Sequence, residues 1–316
     1  MIKIIVFLFY FFILGSEPIS KELLDQLFPE EIVEGGKFFM TTTSTQLGNA
    51  CFMAAAGVGY AIENGYAFVL DPAVKKRYPT VFHRFPSYEI VNKPKKELFH
   101  QERFNFSYEA IDESTNILGW CNSDFWFSKY KNIAIELFGP TKEMVENLQE
   151  KYREYFREDK NYVGVHLRTF VTPFEDKNYV PLEYFQLWDL SPDYYRKAMK
   201  LFPKDTVFVI FSDNTQVAKK LLSKFKHKFI FNESSDLYED FYLMSMMKSM
   251  IIPNSSFSAF ACCLNKRSDQ VVVKPPNGSG VSIINNNWKV VNYTQNFSRI
   301  SKWYEICRKE FQKADY

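Results

Sequence analysis

The segment Asn161-Tyr162-Val163-Gly164-Val165-His166-Leu167-Arg168 places a histidine and an arginine two residues apart at the end of a short apolar run. In an extended strand, residues i and i+2 point to one face. Ligands of open α/β sheets bind just beyond the carboxyl ends of the strands. Arginine offers a planar fork of donors that fits phosphate bidentately, and it keeps its charge at any physiological pH. The pair therefore reads as a phosphate-grasping device at a sheet edge. A strand-end arginine in a surface ion pair is the plainer alternative and fits the tripeptide equally well.

Four further segments carry the same flavour of chemistry. They are Thr45-Gln46-Leu47-Gly48-Asn49-Ala50 running to Gly57, Ser191-Pro192-Asp193-Tyr194-Tyr195-Arg196, Val207-Phe208-Val209-Ile210-Phe211-Ser212-Asp213-Asn214, and Asp240-Phe241-Tyr242-Leu243-Met244-Ser245 running on to Asn254-Ser255-Ser256-Phe257-Ser258. In this order and spacing the set resembles glycosyltransferase family 11, the GDP-fucose-dependent α-1,2-fucosyltransferases, from about Lys37 to about Val291. The resemblance implies an inverting transferase that moves L-fucose from GDP-fucose to a galactose-terminated glycan acceptor, without a metal cofactor. It also implies the GT-B architecture, an α/β fold of two Rossmann-like domains facing across a cleft. The chain departs from the family at several points. The usual His-x-Arg-x-Gly-Asp becomes His166-Leu167-Arg168-Thr169-Phe170-Val171, Ala50 stands for the Gln of Gly-Asn-Gln, and Ala259-Phe260 stand for Trp-Trp. The missing Gly and Asp favour a rival reading, a non-catalytic nucleotide-sugar or glycan-binding relic. A protein O-fucosyltransferase-like enzyme is a further alternative, because it shares the Gly-Asn and His-x-Arg logic.

Each site residue has a functional and a structural reading. By similarity Arg168 holds the β-phosphate of the donor. Charge builds there as the fucosyl bond breaks, so a fixed cation stabilises the transition state more than the ground state. His166 is expected to contact the nucleotide, or else to be a neutral structural histidine. Asn49, in a turn Leu47-Gly48-Asn49 that Gly48 opens to close approach, is expected beside the donor, or as the cap of the next helix. Ser255, Ser256 and Phe257 stand at an expected helix start, where N–H groups and hydroxyls make an anion site; plain capping is the alternative. Asp213 is expected to accept from guanine or ribose, or to cap the next helix. Inversion needs a base for the acceptor hydroxyl. Glu175, Asp176, Glu183 and Asp189 on the loop after Arg168 are equal candidates.

These residues need elements to position them. Residues 37–42, 54–63 and 66–70 read as strand, small-residue helix and strand, a βαβ opening. Residues 77–114 read as irregular, 116–120 as a strand and 141–157 as an amphipathic helix. A second alternating run begins at Tyr162. Strands are expected over 162–168, 207–212, 229–231 and 249–252, and helices over 192–202 (with Ser191 as N-cap), 216–226, 236–248, 255–264 and 298–313. Two domains are expected, an acceptor-side domain over 37–158 and a GDP-fucose-binding domain over 159–316. Trp120 and Trp126 are candidates to stack on the acceptor sugar, with a core role as the alternative.

Composition excludes some partners. The 316 residues are 46% hydrophobic and 24% charged with a net charge of +2, so neither nucleic acid nor a polybasic membrane surface is indicated. Aromatic residues reach 18%, most of which must be core. Lys3 followed by an apolar run over residues 4–14 and then Gly15-Ser16 has the layout of a signal peptide within residues 1–16, with an uncleaved membrane anchor as the alternative. Sequons at Asn105, Asn232, Asn254, Asn277, Asn292 and Asn296 agree with a secretory, Golgi-type location; a bacterial protein would instead be cytoplasmic. Five cysteines leave room for one or two disulfides, and neither they nor the four histidines have metal-ligand spacing.

Overall fold

The computed structural model describes residues 19–42, 46–88, 94–100, 108, 110–119, 121–170, 181–182, 190–234, 236–276, 281–283 and 287–313. The run over 4–14, Trp120, Asn105, Asn277, Val171 and the four candidate bases lie outside the described residues. The chain divides into two compact α/β units. The first holds Met1–Cys121, Phe125–Gly139 and Leu264–Asp269, and the second holds Asn122–Asp124, Pro140–Cys263 and Gln270–Tyr316.

The first unit is built on a parallel sheet of β1 (Phe38–Thr41), β2 (Ala67–Leu70), β3 (Lys96–His100) and β4 (Thr115–Gly119), in the order β2-β1-β4-β3. The expected βαβ opening is present, because the helix Leu47–Asn64 connects β1 to β2. This helix is apolar on every side and is buried from Leu47 through Ala61 apart from Asn49. Gly57 lets it approach the sheet: a Cβ there would collide with Phe68 and with the Thr41 methyl. The helix ends at Gly65, whose φ of 70° allows its N–H to reach back to Ala61 and Ile62 carbonyls. Two expectations fail here. The stretch 77–114 contains β3, an edge strand whose polar Lys96, Glu97 and His100 hide the pattern. Leu47-Gly48-Asn49 is the first turn of the helix, not a loop. Trp126 is a core residue, packed on Tyr60, Tyr108 and Phe125 at 5.6, 5.4 and 5.1 Å.

The second unit has a six-stranded parallel sheet of β5 (Tyr162–His166), β6 (Val207–Phe211), β7 (Lys228–Phe231), β8 (Ser249–Ile251), β9 (Val271–Lys274) and β10 (Lys289–Val290). Their order is β10-β9-β8-β5-β6-β7. Strands buried on both faces read as unbroken apolar runs, which is why β5 and β6 were legible. Gly164 in β5 leaves room for Met250 of β8, where a Cβ would strike its sulfur. The crossover helices start at side-chain caps. Ser191 Oγ accepts from Asp193 N, Asn214 Oδ1 from Val217 N, and Asp236 Oδ1 from Tyr238 N. The helix expected over 141–157 is the helix Lys142–Lys151 followed by a 3₁₀ turn, Arg153–Phe156. All five cysteines are buried and free. No helix among the described residues is long and apolar enough to cross a membrane.

Candidate anion-binding site

The strand order fixes where a ligand can sit. From β5 the chain runs outward through β6 to β7, then returns to the other side of β5 to lay down β8, β9 and β10. The order reverses between β5 and β8, and the crevice beyond the carboxyl ends at such a switch point is where open α/β sheets bind ligands. Arg168 follows β5 and Ser255-Ser256 follow β8, so the two elements expected to bind an anion flank that point.

Arg168 is anchored from within. Its Nη1 donates to Asp213 Oδ2 at 2.7 Å, with the two side chains 16% and 7% exposed. Asp213 also accepts from Thr169 N at 2.7 Å, Thr169 Oγ1 at 2.8 Å and Phe170 N at 2.8 Å. Phe170 has a φ of 58°, in the left-handed region that disfavours a side chain by about 1–2 kcal/mol. Its ring centroid lies 4.7 Å from Arg168 Cζ. This gives Asp213 an internal role and removes the capping alternative expected for it. Its carboxylate is engaged by the Arg168 segment, and the cap of the next helix is Asn214. Thr169, Phe170 and this role of Asp213 were missed, since nothing in a linear sequence pairs residue 168 with residue 213.

His166 takes the structural alternative. It is 5% exposed, and its Nδ1 shares a 2.8 Å hydrogen bond with Ser258 Oγ, itself fully buried. Burial pushes its pKa down to about 4, and the Arg168 charge adds to the effect against a smaller opposing pull from Asp213. A neutral His166 therefore ties the end of β5 to the helix Ser256–Cys263. Ser255 is buried, and Ser256 and Phe257 are partly exposed at the start of that helix. Phe257 packs on Phe241 at 5.3 Å. Asn49 lies in the first unit, within a helix whose N-cap is Gln46, so both the turn and the capping role expected for it fail.

Tyrosines from the Ser191–Arg196 segment support the same edge. Tyr195 Oη donates to His166 O at 2.9 Å, and Tyr194 Oη to Ile252 O at 2.6 Å, so adjacent residues brace the ends of β5 and β8. Asp240 is a further titratable group here. Burial pushes its carboxyl up to about 7, and it accepts from Asn232 Nδ2 at 2.6 Å just beyond β7. Among the described residues no group of His, Cys, Asp and Glu is placed to hold a metal ion.

The depressed His166 pKa has a consequence for stability. Its contribution is fully present above the ordinary value of 6.5 and is lost as pH falls toward 4, because the unfolded chain takes up the proton first. Asp240 acts in the opposite direction as pH falls from about 7, so the two must be separated by substitution. Unfolding midpoints measured from pH 7 to 4 should fall less in His166→Gln than in the parent. Parallel curves would show that His166 does not titrate as a buried neutral group.

A parallel sheet whose order reverses between β5 and β8, with an internally braced arginine after β5, defines an α/β protein of the doubly wound class. Residues 69–298 match the family model described as Glycosyl transferase family 11, and the chain belongs to that family. Over 91 residues it is 33% identical to the O-antigen biosynthesis glycosyltransferase WbnK of Escherichia coli, a match that spans 27% of this chain and 30% of that protein. Among solved structures it is similar to the fucosyltransferase NodZ from Bradyrhizobium, at 16% identity and a TM-score of 0.47 over 71% of this chain and 92% of that one. It is also similar to a mutant of Arabidopsis thaliana FUT1 in complex with GDP, at 14% identity and a TM-score of 0.44 over 78% and 73% of the two chains.

Proposed function

We propose that the protein is an inverting fucosyltransferase that moves L-fucose from GDP-fucose to a glycan hydroxyl, most simply the 2-hydroxyl of a terminal galactoside. The observation that carries this reading is Arg168 at the switch point, braced by Asp213 within a family 11 chain. A cation held in place before reaction can stabilise charge developing on the departing diphosphate without reorganising. The helix starting at Ser256, which follows β8 on the other side of the switch point, offers N–H groups to the same anion. The donor carries its leaving group β, so one in-line attack gives an α linkage. Incubating purified protein with GDP-fucose and a galactoside, then examining the product by NMR, tests the reading. A β-fucosyl linkage excludes the mechanism, and an α linkage to another hydroxyl overturns the acceptor assignment alone.

The relic reading rests on the lost Gly-Asp after Arg168. A carboxylate partner for Arg168 is supplied all the same, by Asp213 after β6. This speaks for a working site, and GDP-fucose hydrolysis in the absence of acceptor distinguishes the two: a relic binds without turnover.

Transfer is expected to persist in EDTA, because the arginine supplies the charge that a divalent ion would otherwise provide. Loss in chelator with recovery in Mg²⁺ or Mn²⁺ would refute the metal-independent mechanism. A secretory location is proposed from the sequons. Asn292 and Asn296 are exposed, whereas Asn232 and Asn254 are buried. Expression in a eukaryotic secretory host should give a product that shifts on glycosidase treatment and loses that shift in Asn292→Gln/Asn296→Gln. An unshifted parent protein would refute the location.

A further inference from the structure

We propose that Phe170 is a positioning residue for Arg168, its ring forming one wall of the diphosphate-binding cation. The inference rests on the assignment of Arg168 to the donor diphosphate. Three observations converge on residue 170. Its backbone has a φ of 58°, a conformation suited to glycine, and Phe170 is the one non-glycine residue with positive φ among the described residues. Its N–H donates to the Asp213 oxygen that also receives Arg168 Nη1. Its side chain is buried at 3% exposure, with the ring centroid 4.7 Å from the guanidinium carbon.

A bulky residue in a glycine conformation persists only when its surroundings over-determine it. Here the carboxylate of Asp213 fixes the backbone, and that fixed backbone lays the ring against the cation. The guanidinium is thereby held by a carboxylate along one edge and by an aromatic face beside it. Glycine stands here in the family pattern, and it would give the same backbone without the wall. The ring shields the cation from water on that side, and a cation over a desolvated aromatic face gains more than an exposed one. The site thus has its own means of orienting Arg168 at the position where the family's Gly is lost.

The test is GDP affinity, measured by calorimetry, in Phe170→Leu, Phe170→Gly and Phe170→Tyr, each also made in an Arg168→Ala background. Leu keeps apolar bulk without the π face, Gly keeps the backbone conformation without strain, and Tyr keeps the face. Leu and Gly are expected to weaken GDP binding about five- to tenfold. Tyr is expected to retain parental affinity. Neither Leu nor Gly should weaken binding further once Arg168 is Ala, because the ring acts through the arginine. Equal losses with and without Arg168 would overturn the proposal, since the ring would then serve the fold or touch the ligand itself. Unchanged affinity in both Leu and Gly would overturn it as well. A failure of the underlying assignment is seen separately, as an Arg168→Ala single variant that binds GDP as tightly as the parent.

Discussion

Arg168→Ala should lower fucosyl transfer about 10²–10³-fold, the usual cost of removing one preorganised donor aimed at developing charge. The loss should fall mainly on kcat, because the interaction strengthens as the glycosidic bond breaks. Arg168→Lys should also be poor. A lysine ammonium is a point charge that cannot keep the 2.7 Å bond to Asp213 and still present a planar fork to a diphosphate. Steady-state rates with GDP-fucose and a galactoside acceptor decide the point. More than half of the parental kcat in either variant would remove Arg168 from the mechanism.

Asp213→Ala should damage both fold and activity. Removing one partner of a largely buried ion pair leaves the other charge uncompensated, at a cost of about 3 kcal/mol or more. The same change removes the acceptor that Asp213 offers to the Thr169 and Phe170 N–H groups. Loss of the anchor lets the guanidinium wander, and a displacement of about 1 Å can cost on the order of 10² in rate. Denaturant unfolding and transfer assays should therefore fall together. A variant that unfolds like the parent yet loses GDP affinity would return Asp213 to the nucleotide-contacting role that the sequence suggested.

The contrast between Arg168 and Asp213 marks what a linear chain reveals. The apolar runs of β5 and β6 announced two parallel strands, and the carboxyl-end rule placed Arg168 and Asp213 at one edge. That they bond to each other depends on strand adjacency, which only the Val163–Phe208 register establishes. Asn49 misled for a different reason. Gly48 suggested a turn, but Leu47–Asn64 is almost wholly buried, and tertiary packing overrides a single glycine's weak preference. His166 drew notice because residues i and i+2 share a face, and its bond to the buried Ser258 depends on a helix residue 92 positions further on, which no local pattern reveals. β9 and β10 escaped notice because each is short and neither is bounded by a clear alternation. Phe170 showed in the sequence only as a missing glycine, and its left-handed backbone gives that absence a meaning.

The placement of β5 at the centre of the second sheet also governs how the chain must assemble. Its two neighbours arrive late and at different times: Val163 waits for Phe208 on one edge, and Gly164 for Met250 on the other. Until both are made, a flat apolar strand stands with two open edges. Such pairings between distant residues must close long loops before they gain anything, so they form slowly. Arg168 and Asp213 cannot meet, nor His166 find Ser258, before those loops close. During synthesis β5 is therefore open to wrong partners until both neighbours arrive, and shielding of that strand by a chaperone would act on a vulnerable stretch of the nascent chain.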